Sequence, residues 1–220
     1  VSVPFLYKKA KKMHNTPMKN FDTKQQKTLV LVKPDGVQRS LIGEVIHRYE
    51  KCGLKLVALK MVIPSKKMAL DHYSIDPEWA IKSGTKTFES YKEKGLPLPG
   101  NDPVEFAENI RQQLVTFLSS GPVVAMVWQG MSAVGVVRKI TGGTEPLTSV
   151  PGTIRGDYTI DSYTASDLDK RAVRNIIHSS GSVEEAEKEI EIWFKPSEIL
   201  KYRLVTEEIL YDVNLDGILE

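Results

Sequence analysis

Cysteine is nearly absent from this sequence. Cys52 stands alone among 220 residues, so no internal disulfide can form, and a reducing compartment, the cytoplasm, is expected. Histidine is scarce as well: His14, His47, His72 and His178 are far apart, and no Cys or His cluster has metal-ligand spacing, which argues against a structural zinc. No apolar run approaches the ~20 residues that a membrane helix needs, so a soluble protein is expected. An excess of charge is missing too. With 30 Lys and Arg against 28 Asp and Glu, the net charge of +2 gives no bulk reason to expect nucleic-acid or membrane binding, and any basic site must be local. No internal repeat is visible.

What is present suffices for a core, since 41% of the residues are hydrophobic. Residues 1–27 are rich in Lys without apolar periodicity and read as a flexible tail, and the opening V-S-V-P-F-L-Y lacks the charged-then-apolar order of a secretory signal. Compact patterning begins with T-L-V-L-V at 28–32, a strand of buried type. A helix over 41–51 follows, stopped by Gly53, then a strand over 54–63 and a short helix over 65–73. The stretch 74–109 is punctuated by Gly84, Gly95, Pro97, Pro99, Gly100 and Pro103, and reads as an excursion of short helices between loops. Beyond it come a helix over 111–118, a strand over 123–128 and a short helix over 132–140. N-I-I-H at 175–178 reads as a fourth strand, and Ser182 with Glu185 forms a capping-box signature for a helix to Phe194. Strands alternating with helices, too few for a doubly wound sheet, predict a small antiparallel sheet covered by helices.

Histidine is the side chain whose ring nitrogen is a good nucleophile near neutral pH. His178, between an apolar strand and a helix start, is therefore a natural phosphoryl carrier. A lone strand histidine is more often structural, so its neighbours matter. In the helix from Ser182, residues Ala186, Glu189, Ile190 and Trp193 share one stripe, which projects Glu189 from the apolar face. A buried carboxylate needs a partner, and His178 is one: a carboxylate on one ring nitrogen leaves the other free to attack. The alternative is that Glu189 lies at the edge of the stripe and reaches solvent. Phosphoryl transfer also needs fixed positive charge and donors. Lys33 in V-K-P-D-G-V, Arg138 on a short helix, Thr144 in G-G-T-E-P and Arg155 in P-G-T-I-R-G-D could supply them. Singly, each is ordinarily a solvated surface group. The Gly-Pro setting of Lys33 and Arg155 is the more telling because it fixes the backbone, and the Gly, Pro and Thr density of 141–157 is itself unusual for an idle loop.

From Thr28 to about Tyr202 the chain resembles nucleoside diphosphate kinases. Four ordered blocks carry the likeness: K-P-D-G-V-Q-R at 33–39, S-G-P-V-V-A-M-V-W at 120–128, P-G-T-I-R-G-D at 151–157 and N-I-I-H-S-S-G-S-V-E-E-A-E-K-E-I at 175–190. The resemblance implies a ferredoxin-like α/β sandwich with a four-stranded antiparallel sheet, spanning 28–202 with insertions about 74–109 and 160–172 and a C-terminal extension over 203–220. It implies a ping-pong transfer from a nucleoside triphosphate to a nucleoside diphosphate, Mg2+ carried by the nucleotide phosphates, and a hexameric or tetrameric homo-oligomer. His178 matches the family's phosphorylated histidine and Glu189 the glutamate that orients it. Lys33, Arg138, Thr144, Arg155 and Asn175 match its phosphate and ribose contacts, and Tyr73 matches the tyrosine beside the histidine. The chain departs from the family at H-S-S-G, where Ser179 and Gly181 replace a small residue and an aspartate while Ser180 is retained. The family's base-stacking phenylalanine has no clear counterpart, and Trp79, Phe88, Tyr91 and Phe106 are candidates.

Two motifs are decoys. V-A-L-K at 57–60 lacks the glycine-rich loop, H-R-D and D-F-G of protein kinases, no G-x-x-x-x-G-K-[ST] is present, and D-V-N-L-D-G at 212–217 ends before the twelfth-position glutamate of a calcium loop and reads as a turn. An RNA-recognition domain would show an aromatic-rich strand motif, which no strand here has. A catalytically dead homologue serving as a binding or assembly module remains the alternative, opposed by the retention of His178, Glu189 and the basic set.

Overall fold

The computed structural model describes residues 23–93 and 95–211. The expected tail, as far as residue 22, and the D-V-N-L-D-G turn lie outside them. The elements run β1 (Gln26–Val32), α1 (Pro34–Gln38), α2 (Ile42–Glu50), β2 (Lys55–Val62), α3 (Lys66–Tyr73), α4 (Trp79–Glu93), α5 (Pro103–Leu118), β3 (Val123–Gly130), α6 (Ala133–Thr141), α7 (Ile154–Tyr158), α8 (Tyr163–Leu168), β4 (Ile177–Ser179), α9 (Val183–Trp193) and α10 (Glu207–Leu210). The strands form one antiparallel sheet in the order β2-β3-β1-β4. Leu31 pairs with Ala125 on one side and with His178 on the other, which puts the histidine next to the centre of the sheet.

Both faces of the sheet are covered, which is why β1 and β3 read as unbroken apolar runs. Leu29, Leu31, Ala125 and Val127 point to the layer of α3, α5 and α9, where they meet Val115, Leu118, Ile190 and Trp193. Val30, Val32, Met126 and Trp128 point to α2 and α6 and meet Tyr49, Val137 and Ile154. Each fully buried aliphatic chain here contributes about 1.5–3 kcal/mol of burial free energy. Strand β1 begins at Gln26, two residues before the run that announces it, because Gln26 and Lys27 pair with Gly130 and Gln129.

The largest departure from the sequence reading lies in 74–109, which holds a 15-residue helix and the start of a 16-residue one rather than short helices. Gly84 is not a breaker: a Cβ there would sit 2.0 Å from the carbonyl oxygen of Pro103, so glycine lets α4 and α5 cross closely. Pro103 is at the first turn of α5, with the Asp102 side chain accepting from the Val104 N–H at 2.8 Å, so this proline starts a helix instead of ending one. In the 160–172 stretch, Ser162 caps α8, and Arg171 clamps Asp161 through two bonds of 2.6 and 3.0 Å. After α9 the chain returns to β2, where Lys55 holds Glu207 of α10 at 2.6 Å. Among the described residues, no helix is long and apolar enough to cross a membrane.

Candidate active site

At the end of β1 the sequence K-P-D-G turns tightly against the chain before β4. The Lys33 N–H donates to the Ile176 carbonyl at 2.8 Å, and Asp35 accepts from the N–H groups of Ile176 and Gly36, each at 3.0 Å. Gly36 is required, since a Cβ would sit 2.8 Å from the Ile176 carbonyl oxygen. Held this way, Ile176 adopts φ +57°, a strained conformation for a β-branched residue. This is why the fourth strand starts at Ile177 and not at Asn175. The same turn buries Lys33 and aims its ammonium at Asn175 Oδ1, 2.8 Å away. Burial and then the Arg155 guanidinium push its pKa down to about 8, with Asp35 opposing.

Arg155 stands on α7, whose start is capped by Thr153 accepting from the Gly156 N–H at 3.1 Å. Its guanidinium donates to the carbonyls of Ile177, Gly143, Gly142 and Asn175 at 2.7, 3.0, 3.2 and 3.4 Å. All three of its guanidinium nitrogens thus brace two loops, a structural duty that sequence reading missed. Burial brings its pKa down to about 10, so it remains a cation at neutral pH. Asn175 is a strut of the same kind: it accepts from Lys33 and donates to the Thr144 carbonyl at 2.9 Å.

His178 and Glu189 meet as the amphipathic stripe of α9 requires. Nε2 of the imidazole lies 2.8 Å from Glu189 Oε1, and the Ser180 hydroxyl donates to Oε2 at 2.5 Å. Glu189 is buried, so its alternative exposure at the stripe's edge does not occur. Burial opposes its charge, yet His178 nearby, the His178 bond, His72 and Ser180 together hold the carboxyl down to about 2. An ionised carboxylate only accepts, so the Nε2 proton belongs to the ring. Nδ1 has no hydrogen-bond partner among the described residues. Ser180, which also accepts from the Leu29 N–H at 3.1 Å, ties Glu189 to β1.

All eight residues singled out from the sequence, His178, Glu189, Lys33, Tyr73, Arg138, Thr144, Arg155 and Asn175, line one cavity of about 580 Å³. The Tyr73 hydroxyl is buried there with no hydrogen-bond partner among the described residues, while Arg138 and Thr144 are exposed at the wall. At Gly181 a Cβ would meet Glu185 Oε2 at 2.4 Å and Arg138 NH1 at 3.5 Å. The volume of a side chain at 181 is therefore filled by the Glu185 carboxylate, which accepts from the Gly181 N–H at 2.8 Å. The outer wall is built by α4 and α8, joined through the Tyr91 hydroxyl, which donates to Asp167. Of the stacking candidates, Trp79 and Tyr91 reach the cavity, whereas Phe88 and Phe106 pack edge to face at 5.9 Å between α4 and α5.

Among the described residues four carboxylates line the cavity, and each is engaged: Glu189 and Glu185 as above, Asp167 with Tyr91, and Asp76 with Lys82 at 3.1 Å and the Glu78 N–H at 2.9 Å. His72, His178 and Glu189 bring potential ligand atoms within 4.8 Å of one another, but Glu189 already holds His178, and Trp193 donates to His72. Such a donor set does not fit a protein-held Mg2+, which calls for free oxygens.

The family model described as "Nucleoside diphosphate kinase" matches residues 26–92 and 106–199. A nucleoside diphosphate kinase of Pyrobaculum aerophilum is 45% identical over 180 residues, covering 80% of this chain and 98% of the relative. One from Gallus gallus is 40% identical over 187 residues, covering 85% and 97%. Among solved structures, an NDP kinase from Pyrobaculum aerophilum superposes with a TM-score of 0.76 at 44% identity, over 80% of this chain and 100% of that one. A transition state mimic of the Borrelia burgdorferi nucleoside-diphosphate kinase with bound vanadate and ADP superposes with a TM-score of 0.72 at 38% identity, over 86% and 98%.

Proposed function

The chain belongs to the nucleoside diphosphate kinase family and is a phosphotransferase; from that premise we propose that it moves phosphoryl groups between nucleotides through a phosphohistidine at His178. A nucleoside triphosphate enters with its phosphates towards Lys33, Arg138, Thr144 and Arg155. Nδ1 of His178 attacks the terminal phosphorus in line. An N–P bond forms as the bond from phosphorus to the bridging oxygen breaks, and its electron pair leaves on the nucleoside diphosphate. The Nε2 proton stays on the ring, where Glu189 offsets the positive charge that N-phosphorylation creates. In the second half-reaction, a terminal oxygen of another nucleoside diphosphate takes the phosphorus, and the N–P pair returns to Nδ1.

The observation that carries this reading is a ring whose Nε2 is fixed by a buried carboxylate while its unpartnered Nδ1 shares a cavity with Lys33 and Arg155. The vanadate and ADP in the Borrelia burgdorferi relative support it. Asn175 keeps one amide N–H for the ribose, and the Tyr73 hydroxyl serves the phosphates. Mg2+ arrives on the nucleotide as part of the substrate, since the cavity's carboxylates are engaged. Base identity matters little, because the grip is on phosphates and ribose. The same reading includes a homo-oligomer of six or four subunits in the cytoplasm. In support of assembly, Leu59 and Met61 are exposed on the edge strand β2, and light scattering measures the subunit number. Incubation with triphosphate labelled in the terminal phosphate is expected to leave an acid-labile, base-stable label that other nucleoside diphosphates discharge. Absence of the label overturns the mechanism.

A further inference from the structure

Behind the reactive imidazole stands a second one that the mechanism above does not use. His72, on α3, is only 4% exposed. Its ring meets that of His178 at 4.4 Å between centroids and an interplanar angle of 84°. It also meets Trp193 of α9, at 5.9 Å and 85°, whose indole Nε1–H donates to His72 Nδ1 at 3.4 Å. That bond makes Nδ1 an acceptor and so puts the His72 proton on Nε2, which is buried without a partner among the described residues. Leaving such a group unsatisfied is unfavourable, and packing alone gives no reason to keep a histidine there.

His72 does not act as a charge. Its Nδ1 comes 3.7 Å from Glu189 Oε1, but both atoms are acceptors and no ion pair forms. Burial, with His178 and Lys33 adding to it and Glu189 opposing, pushes its pKa down to about 3 and leaves the ring neutral. What remains is its shape. The bond from His178 Nε2 to Glu189 is the one side-chain hydrogen bond that orients the ring among the described residues, and whenever it breaks the ring can turn about Cβ–Cγ and offer Nε2, its other nucleophilic nitrogen. A perpendicular ring in contact, itself fastened by Trp193 to the helix that carries Glu189, removes that freedom.

We propose that His72 is a positioning residue, in contact with both Trp193 and His178, which helps Glu189 to hold the nucleophilic ring so that the phosphoryl group is carried on Nδ1 and not on Nε2. This rests on the phosphohistidine reading, and the isomer of the intermediate reports it separately. The full chain is phosphorylated with ATP and kept alkaline, and 31P NMR together with separation of the two phosphohistidine isomers after alkaline hydrolysis gives the distribution. Wild-type protein is expected to carry the Nδ1 isomer. His72→Ala should raise the share of the Nε2 isomer roughly tenfold, the factor that loss of one rotamer preference allows. His72→Phe, which restores a flat ring, should return the distribution towards wild type.

No label on the wild type would defeat the phosphohistidine itself. A wild type labelled on Nε2, or a folded His72→Ala labelled only on Nδ1, would overturn the positioning role while leaving the enzyme reading intact. If His72→Ala fails to fold, 15N NMR of the wild-type histidines decides: an Nε2–H tautomer at His72 is expected, and an Nδ1–H tautomer removes the Trp193 anchor and with it the proposal.

Discussion

Lys33 shows how a site is tuned by surroundings that lie elsewhere in the chain. Burial and Arg155 bring its ammonium to about 8, so the free enzyme loses this positive charge as pH rises through that value, and kcat/KM is expected to fall there. Bound phosphates favour the protonated form, which moves the corresponding limb of kcat to higher pH. A pH profile of Lys33→Met should show a lower kcat/KM without that limb; a limb that survives the substitution assigns it to another group. Replacing His178 by Ala should abolish transfer, whereas Glu189→Ala should slow it by roughly 10 to 100-fold, as loss of an orienting partner does. Stopped-flow measurement of enzyme phosphorylation separates the two, and equal losses would mean that Glu189 does more than orient. Lys33, His178 and Glu189 were legible because strand ends and helical spacing place them. The bracing role of Arg155 was not, since it depends on carbonyls up to 22 residues away.

Among the elements, α5 lines the cavity as well as α4 and α8, and the crossing of α4 with α5 depends on Gly84. Adding a methyl there meets backbone at 2.0 Å, so Gly84→Ala is expected to cost about 1–3 kcal/mol as an overpacking change. Gly43, on α2, is the control: a Cβ there has nothing within 4 Å, and Gly43→Ala should be neutral or stabilise by up to ~1 kcal/mol. Urea denaturation of both variants tests the contrast, and equal midpoints would show that the α4–α5 crossing yields easily. The signals for α5 were present in Asp102 and Pro103 but were outweighed by the surrounding glycines and prolines. A glycine that ends a helix and one that admits a neighbouring helix look alike until the neighbour is in place.

For the molecule as a whole, the buried ionisable cluster sets the response to acid. The folded pKa of His72 lies at about 3, below its ordinary 6.5, so the unfolded chain binds its proton first and stability falls as pH drops from 6.5 towards 3. Glu189, held at about 2 against an ordinary 4.5, contributes stability that is present above 4.5 and lost as pH falls through 2. Denaturant midpoints measured between pH 7 and 4.5 are therefore expected to decline, and His72→Asn should flatten the slope. An unchanged slope in that variant would place the acid sensitivity elsewhere.

From the order of residues alone came the antiparallel sheet with its helices, the stripe that carries Glu189, and the blocks around Lys33, Arg155 and His178, because backbone periodicity and turn chemistry act over a few residues. The tertiary structure alone decided that Glu185 fills the space beside Gly181, that Tyr91 meets Asp167 between α4 and α8, and that His72 backs His178. Those are contacts between segments tens of residues apart or more, or depend on how a side chain folds back, and only packing in three dimensions selects them.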